Sequence, residues 1–297
     1  MAALTLLAGG IGPYCTSKAP EIPKTGAVAK LRGNAPVVRS CGVANLTERD
    51  VDLIERLVQL QQRRSGLKPG PGIPAAGSLG EIRVAFHVIH NGSQGLLTQS
   101  EVDDQIQALN DAFDNVDFVL SETTFTNNLG WFLHQPGSNA ERAMKSALGQ
   151  DSSRFLNIYS TGLSSIGLLG YATFPWSQRG NPTLDGVVIA FDSLPGGDFP
   201  YDEGDTAVHE VGHWLGLFHT FQGGCTRRND GVSDTPAEAE PFYGCTLFPP
   251  NSCPSPGVDP IENYMDYSDD ACLTEFTPGQ VARMNLMVRL FRGNLFN

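Results

Sequence analysis

The strongest pattern in this 297-residue sequence is the stretch His209-Glu210-Val211-Gly212-His213-Trp214-Leu215-Gly216-Leu217-Phe218-His219. It has the form H-E-x-x-H-x-x-G-x-x-H. Two histidines four positions apart lie on one face of a helix, one turn apart, so the imidazoles of His209 and His213 can reach one metal ion. Glu210 follows the first histidine directly and can reach a water molecule on that ion.

The glycine in this pattern lets a third histidine join the first two. A helix that continued past His213 would carry His219 away from the metal, whereas Gly216 can adopt the left-handed conformation that ends a helix and turns the chain back. Three protein ligands leave one coordination position open, which is typical of catalytic rather than structural zinc. The motif predicts one catalytic Zn²⁺ bound by His209, His213 and His219, with Glu210 as the general base.

An amphipathic core helix that merely carries surface histidines is the alternative interpretation. It would leave three of the six histidines within eleven residues unexplained. The others, His87, His90 and His134, are expected to be packed or surface residues. His87 and His90 are three positions apart on a predicted strand, so their side chains point to opposite faces.

Strand and helix patterns alternate before the motif, whereas beyond Thr220 the chain is mostly loop until one last helix. Residues 81–90 alternate in polarity as a half-buried strand does, and Thr98 opens a helix with a capping box completed by Glu101. Further strands are predicted at 116–120, 155–159 and 186–191, the motif helix at 206–218, and a last amphipathic helix at 278–290. Mixed strands and helices indicate the α/β (α+β) class.

The N-terminal part of the chain has a different character. Residues 1–46 show little periodicity, a helix follows Thr47, and residues 65–80 are rich in Gly and Pro, as linkers are. We expect a signal remnant, pro-region and linker at 1–79 and a catalytic domain at 80–297. The small apolar stretch Met1–Gly9 is either a signal peptide that has lost its beginning or a loose N-terminus.

The acidic composition and the lack of long apolar runs argue against nucleic acid and membranes as partners. The formal net charge is −12, so no excess of Lys and Arg exists to meet nucleic-acid phosphate or an anionic membrane surface. No apolar run approaches the roughly 20 residues that a membrane helix needs. Two sequons, at Asn45 and Asn91, permit glycosylation in a secretory compartment. We expect a secreted, extracellular monomer whose partners are protein or peptide substrates.

The cysteines indicate an oxidising compartment. Four of the six fall in the last quarter of the chain, among Gly, Pro, Asn and Asp, where disulfides substitute for a packed core. A structural zinc site of four thiolates is the alternative, and the lack of any Cys-x2-Cys pair speaks against it. These four are Cys225, Cys245, Cys253 and Cys272.

The sequence resembles the metzincin zinc peptidases, and within them the pappalysin-like group with its fungal secreted metalloproteases. The resemblance rests on the eleven-residue motif, on Thr220 directly after it, and on Asn263-Tyr264-Met265-Asp266-Tyr267. It implies a two-lobed catalytic domain over residues 80–297 with the motif helix between the lobes. It also implies that Met265 forms the Met-turn beneath the metal and that Tyr267 hydrogen-bonds the tetrahedral intermediate.

The same resemblance implies further site residues. It pairs Cys225 with Cys253 and Cys245 with Cys272, and it suggests a structural Ca²⁺ bound by Asp230 and Asp234, for which an Asx-rich turn is the alternative. Asp270 would lie at the base of the S1′ pocket and favour a basic residue just after the scissile bond. A solvated loop aspartate beside Asp269 is the alternative.

Cys41 is the remaining cysteine of interest. Cys41-Gly42 loosely matches the short Cys-Gly motif of the cysteine switch in latent metzincins. In that switch a thiolate fills the open metal position. A Cys15–Cys41 disulfide and a free cysteine with no role are the alternatives.

The predicted function is hydrolysis of peptide bonds in proteins by a zinc-activated water, with a preference for basic P1′ residues. Two other classes compete with it. One is a zinc-binding recognition module with a dead site, against which Glu210 argues. The other is a non-enzymatic scaffold held by disulfides, which the absence of stoichiometric zinc would favour.

Overall fold

The computed structural model describes residues 39–43, 46–66, 79–226 and 228–296. The predictions for Met1–Gly9, Cys15 and Asn45, and most of the linker, lie outside these ranges. The elements in chain order are α1 (Glu48–Ser65), β1 (Glu81–His90), α2 (Gln99–Ala112), β2 (Asp117–Asn127), α3 (Leu129–Phe132), α4 (Asn139–Leu148), β3 (Phe155–Thr161), β4 (Gly170–Ala172), β5 (Val187–Ala190), α5 (Asp205–Trp214) and α6 (Pro278–Phe291).

A five-stranded sheet in the order β2-β1-β3-β5-β4 organises the first half of the described domain. The first four strands of this order run parallel, and only β4 at the edge is antiparallel to its neighbour. Helices cover the sheet, so β1 is buried on both faces from Val84 to Ile89, including His87, although its sequence alternates in polarity as a half-buried strand does. The predicted mixed α/β class is confirmed.

The motif helix α5 is buried along its whole length and packs against α2, β4 and β5. It ends at Trp214, earlier than the predicted residue 218, because Gly216 adopts φ 106° and breaks the helical path. Trp214 donates to Asp185, which also accepts two hydrogen bonds from Arg292 just after α6. The last helix is therefore joined to the end of α5 through a buried ion pair.

The helix that follows Thr47 lies against the last helix of the chain. Thr47 forms a capping box with Asp50, as a Thr three residues before an acidic side chain predicts. The buried face of α1 joins a second apolar cluster that includes the side chain just before His219 and those of α6. Its buried members are Val51, Ile54, Val58, Phe218, Met287, Leu290 and Phe291.

Residues 215–277 form mostly loops, which two disulfides cross-link. Cys225 is bonded to Cys253 and Cys245 to Cys272, the pairing that the resemblance implies. Cross-links between segments nearly 30 residues apart restrict the unfolded chain by loop closure. No helix within the described ranges has both the length and the apolar character needed to cross a bilayer.

Candidate metal centre and substrate cleft

Three histidine side chains converge in the interior of the domain. His209 and His213 lie one turn apart on α5, and the turn at Gly216 returns His219 to them. The facing nitrogens of His213 and His219 are 3.0 Å apart, and all three rings are buried. The structure thus brings together the three histidines that the sequence predicts as ligands.

Backbone hydrogen bonds fix which ring nitrogen of two histidines is free. Nδ1 of His209 donates to the carbonyl of Tyr264 at 2.7 Å, and Nδ1 of His213 donates to that of Leu217 at 2.8 Å. Each neutral ring therefore turns an Nε2 lone pair inward. Nε2 of His209 is buried without a hydrogen-bond partner.

The electrostatics of the cluster favour a bound cation. Burial lowers the pKa of His213 to about 4 and holds the pKa of His209 and His219 well below the usual range, so all three rings are neutral near pH 7. Neutral imidazole is the ligand form that zinc requires. The inward Nε2 lone pairs of His209 and His213, with the neutral ring of His219 beside them, fit a metal cation.

Glu210 points into the same space. It is buried, and one carboxylate oxygen, Oε2, has no hydrogen-bond partner. Burial raises its pKa to about 8, while a hydrogen bond with the Cys41 side chain and the charge of Arg39 act in the opposite direction. The edge strand leaves room for this side chain only because residue 170 is glycine, since a Cβ there would lie 2.6 Å from Cγ of Glu210.

Met265 is fully buried against α5. Its sulfur approaches α5 at Gly212, where a Cβ would come within 2.5 Å of Sδ. The turn is held from α6, because Gln280 exchanges two hydrogen bonds with Asn263 and Asn263 accepts from the Met265 backbone N–H at 3.0 Å. The methionine in this turn therefore packs against α5 at Gly212, between His209 and His213.

Tyr267 borders the cluster on its open side. Its ring centroid lies 5.7 Å from that of His209 and 5.1 Å from that of His219. Its hydroxyl accepts a hydrogen bond from the backbone N–H of Cys41 at 3.3 Å. Burial holds the pKa of Tyr267 well above its usual range, so the phenol keeps its proton and can donate it in a hydrogen bond.

Cys41 carries a free thiol that completes the cluster. Its sulfur and one nitrogen from each of His209, His213 and His219 all lie within 4.8 Å of one another. The segment around it lies along the free edge of β4, where Gly42 donates to the Gly170 carbonyl at 2.8 Å. Residues 39–43 therefore pair with the sheet edge through a parallel β-bridge between Cys41 and Gly170, next to the histidine cluster.

Arg39 lies two residues before Cys41, and its place at this site was not predicted from the sequence. Its guanidinium forms a buried ion pair with Asp270. The available signal was its spacing, because residues two apart in an extended segment share one face. Burial raises the pKa of Asp270, whereas Arg39 and backbone N–H groups act to lower it.

The remaining predicted site residues lie elsewhere. Asp230 is buried, whereas both oxygens of Asp234 accept hydrogen bonds at the start of α6, from Thr277 and Gly279. Among the described residues, the cluster of Cys41 with the three histidines is the only convergent group of three or more potential metal ligands. A calcium site at Asp230 and Asp234 thus stays a prediction.

The other histidines are packed away from the cluster. His87 bonds Thr124 and Asn157 across the sheet, and His134 bonds the hydroxyl of Tyr171. Burial lowers the pKa of both.

Known proteins match this chain over most of its length. The family Peptidase_M43, described as pregnancy-associated plasma protein-A, matches residues 145–289. An extracellular metalloprotease of Pyricularia oryzae is 46% identical over 209 residues, covering 68% of this chain and 71% of that protein. An extracellular metalloprotease of Neurospora crassa is 38% identical over 266 residues, covering 86% and 90% of the two chains.

Two solved structures have the same fold. A mutant of promirolysin from Tannerella forsythia superposes with a TM-score of 0.70 at 29% identity, covering 86% of this chain and 97% of that one. Mirolysin in complex with a compound gives a TM-score of 0.66 at 32% identity, covering 74% of this chain and 96% of the other.

Proposed function

We propose that this chain, which belongs to the Peptidase_M43 (pappalysin) family and is a zinc metalloendopeptidase, hydrolyses peptide bonds with a water molecule activated at the histidine cluster. His209, His213 and His219 would hold the zinc ion. The observation that carries this assignment is the convergence of their buried rings, two of them with Nδ1 held by backbone carbonyls and the lone pair of Nε2 turned inward. Bound zinc supplies a Lewis acid that lowers the pKa of water and polarises a carbonyl group.

The proton transfers belong to Glu210. Its buried carboxylate bonds the side chain of Cys41, which lies with the three histidines, and its other oxygen has no partner, so it would be within reach of a water in the place of the thiol. It takes the proton of the attacking water and delivers it to the leaving amine. Tyr267 keeps its proton and donates a hydrogen bond to the oxygen that becomes negative during attack. Both side chains border the space that Cys41 fills, so these steps require that segment to leave.

The test of this function combines metal content with one isosteric substitution. In the processed enzyme, Glu210→Gln should keep the fold and stoichiometric zinc but lower kcat by about 10²-fold or more, the scale of losing a general base. Glu275→Gln, at an exposed position, is the matched control. Near-native turnover in Glu210→Gln would overturn the proton-transfer role, and absence of stoichiometric zinc from the parent would overturn the metal site.

The pocket at Asp270 favours a basic residue just after the scissile bond. Its support is the buried ion pair with Arg39, whose side chain stands in for that of a substrate residue. Asp270→Ala should lower kcat/KM for peptides with Arg or Lys in P1′ far more than for peptides with Leu. Cleavage-site mapping on a peptide library measures this preference, and an unchanged profile would contradict it.

The N-terminal segment keeps the enzyme latent. Cys41 fills the open side of the cluster, and Arg39 fills the S1′ pocket. The full chain should therefore be inactive before processing, and Cys41→Ala should be active. Equal activity in both chains, with Cys41 disulfide-linked to Cys15, would refute the switch.

Secretion accompanies this activity. Curated relatives from several fungi are named extracellular metalloproteases, and the two disulfides persist in an oxidising compartment. Cleavage within the Gly- and Pro-rich stretch 65–80 would separate the inhibitory part from residues 80–297. The mature enzyme would act as a monomer on protein or peptide substrates.

A further inference from the structure

Tyr201 forms a wall of the pocket that Arg39 occupies. The guanidinium carbon of Arg39 lies over the Tyr201 ring, 5.0 Å from its centroid. The backbone N–H of the same arginine donates to the Tyr201 hydroxyl at 2.8 Å. Tyr201 is only 5% exposed, and the neighbouring carbonyl of Pro200 accepts from the Asp270 N–H at 3.1 Å, so the ring is fixed next to the acidic base of the pocket.

Asp270 by itself selects a positively charged substrate side chain but does not distinguish Lys from Arg. One of its oxygens accepts backbone N–H groups of Glu203 and Asp205 at 2.9 and 3.4 Å, and the other oxygen receives the cation. A single carboxylate oxygen can pair equally with an ammonium or a guanidinium group. The discrimination between Lys and Arg must therefore come from another wall of the pocket.

An aromatic face supplies that discrimination. Guanidinium is planar and weakly hydrated, so it stacks on a ring while its edge reaches a carboxylate. An ammonium group is a compact, strongly hydrated charge with three donors. An ammonium group is attracted to a ring face as well, but it cannot stack as a plane and it loses more hydration on entering this buried pocket.

We propose that Tyr201 is a specificity-determining residue that makes the S1′ pocket select Arg over Lys. This inference rests on the proposed function, because it takes Arg39 as the stand-in for the P1′ side chain of a substrate. Asp270 sets the preference for a positive charge, and Tyr201 sets the preference for its planar form. The expected natural substrates are proteins cut on the N-terminal side of arginine.

The test uses the full chain with Arg39→Ala and Cys41→Ala, which empties the cleft without truncation. Three peptides differ only in the residue after the scissile bond, which is Arg, Lys or Leu. Tyr201→Leu should lower the Arg-to-Lys ratio of kcat/KM by about tenfold, which lies between the values of an exposed and a desolvated cation–π contact. Tyr201→Phe keeps the ring and should keep the ratio.

The outcomes separate this inference from the function on which it rests. An unchanged Arg-to-Lys ratio in Tyr201→Leu overturns the role of Tyr201 alone, provided that Asp270→Asn abolishes the preference of Arg and Lys over Leu. An Asp270→Asn variant that still prefers basic residues overturns the proposed pocket itself. Circular dichroism and thermal unfolding check each fold, and Tyr201→Met repeats the test with a longer apolar side chain if the leucine variant does not fold.

Discussion

Gly212 lies between two of the clustered histidines, at the closest approach of α5 to the Met-turn. A Cβ at this position would come within 2.5 Å of the Met265 sulfur. Gly→Ala in a helix interior usually stabilises by up to about 1 kcal/mol. Here the steric contact should reverse the sign, so we expect Gly212→Ala to lower the free energy of unfolding by about 1–3 kcal/mol, the usual cost of overpacking.

Urea denaturation of the full chain measures this effect. The control is Gly130→Ala in α3, where the nearest atom would be 3.4 Å from the added Cβ. A Gly212→Ala chain at least as stable as its parent would show that Met265 moves aside freely, and the supporting role of the Met-turn would then fail.

Asp230 gives the folded state a pH dependence of known sign. Burial raises its pKa to about 7, whereas an unfolded aspartate titrates near 3.9. As the pH rises from about 4 to about 7, the unfolded chain loses a proton that the folded chain keeps, so this group lowers the free energy of unfolding. Its contribution is fully present at acidic pH and is lost by pH 8.

Replacing Asp230 with asparagine removes this titration. We expect the fall in the free energy of unfolding between pH 5 and pH 8 to become smaller in Asp230→Asn, by an amount of the order of 2 kcal/mol. Urea titrations at the two pH values provide the measurement, with Asp104→Asn on the exposed face of α2 as the control. Parallel pH dependence in Asp230→Asn and its parent would contradict a raised pKa.

The roles of single residues could be predicted where their spacing in the sequence determines how they come together. The three histidines, Glu210 and the break at Gly216 follow from helical geometry and from the need to return the chain. Arg39 was not predicted, because nothing in its local sequence links it to Asp270, which lies 231 positions away. Only the tertiary fold brings the edge of β4 and the loop after the Met-turn together.

Among the elements, α6 depends on a cap from a distant loop. Asp234 accepts from the Thr277 hydroxyl at 2.9 Å and from the Gly279 N–H at 2.8 Å, at the positive end of the helix. Asp234→Ala should lower the free energy of unfolding by about 1 kcal/mol, as the loss of a helix cap does. Urea denaturation measures the change, with Asp104→Ala as the control.

Calcium provides the contrast for this prediction. Because both oxygens of Asp234 already accept hydrogen bonds, the loss should be the same in EGTA and in added Ca²⁺. If Ca²⁺ stabilised the parent and not Asp234→Ala, the aspartate would be a ligand rather than a cap.

The edge strand β4 shows where sequence patterns stop being informative. It has three residues, Gly170, Tyr171 and Ala172, too few for an alternation to be recognised. Its glycine is required by tertiary contact with Glu210 rather than by a turn. Longer elements with caps, such as α1, α2 and α6, were predictable because local hydrogen bonds define their ends.

In the whole molecule, α1 would anchor the proposed inhibitory segment at a second site. Its apolar face packs on α6 and on Phe218, and Glu55 pairs with Arg283. Arg39 and Cys41 precede this helix by only a few residues in the sequence. Tethering of this kind makes cleft binding intramolecular and strengthens it by about 10²–10⁴-fold. Before any cleavage, α1 of the predicted N-terminal region (1–79) thus packs against the predicted catalytic domain (80–297).

Breaking the α1 anchor should therefore weaken latency without touching the cleft. Ile54→Asp places a carboxylate in the apolar cluster, where Ile54 is 3% exposed, and should detach the helix because an unpaired buried charge is strongly unfavourable. We expect the Cys41 thiol of the full chain to react with a thiol reagent about tenfold faster or more, since the effective concentration of the segment falls. Peptidase activity before processing should rise in parallel. Leu53→Asp is the matched control, because it adds the same charge one position away, where the side chain is 39% exposed. If the two variants remain equally latent, with equally slow thiol reaction, then the contacts of Arg39 and Cys41 alone hold the segment in the cleft.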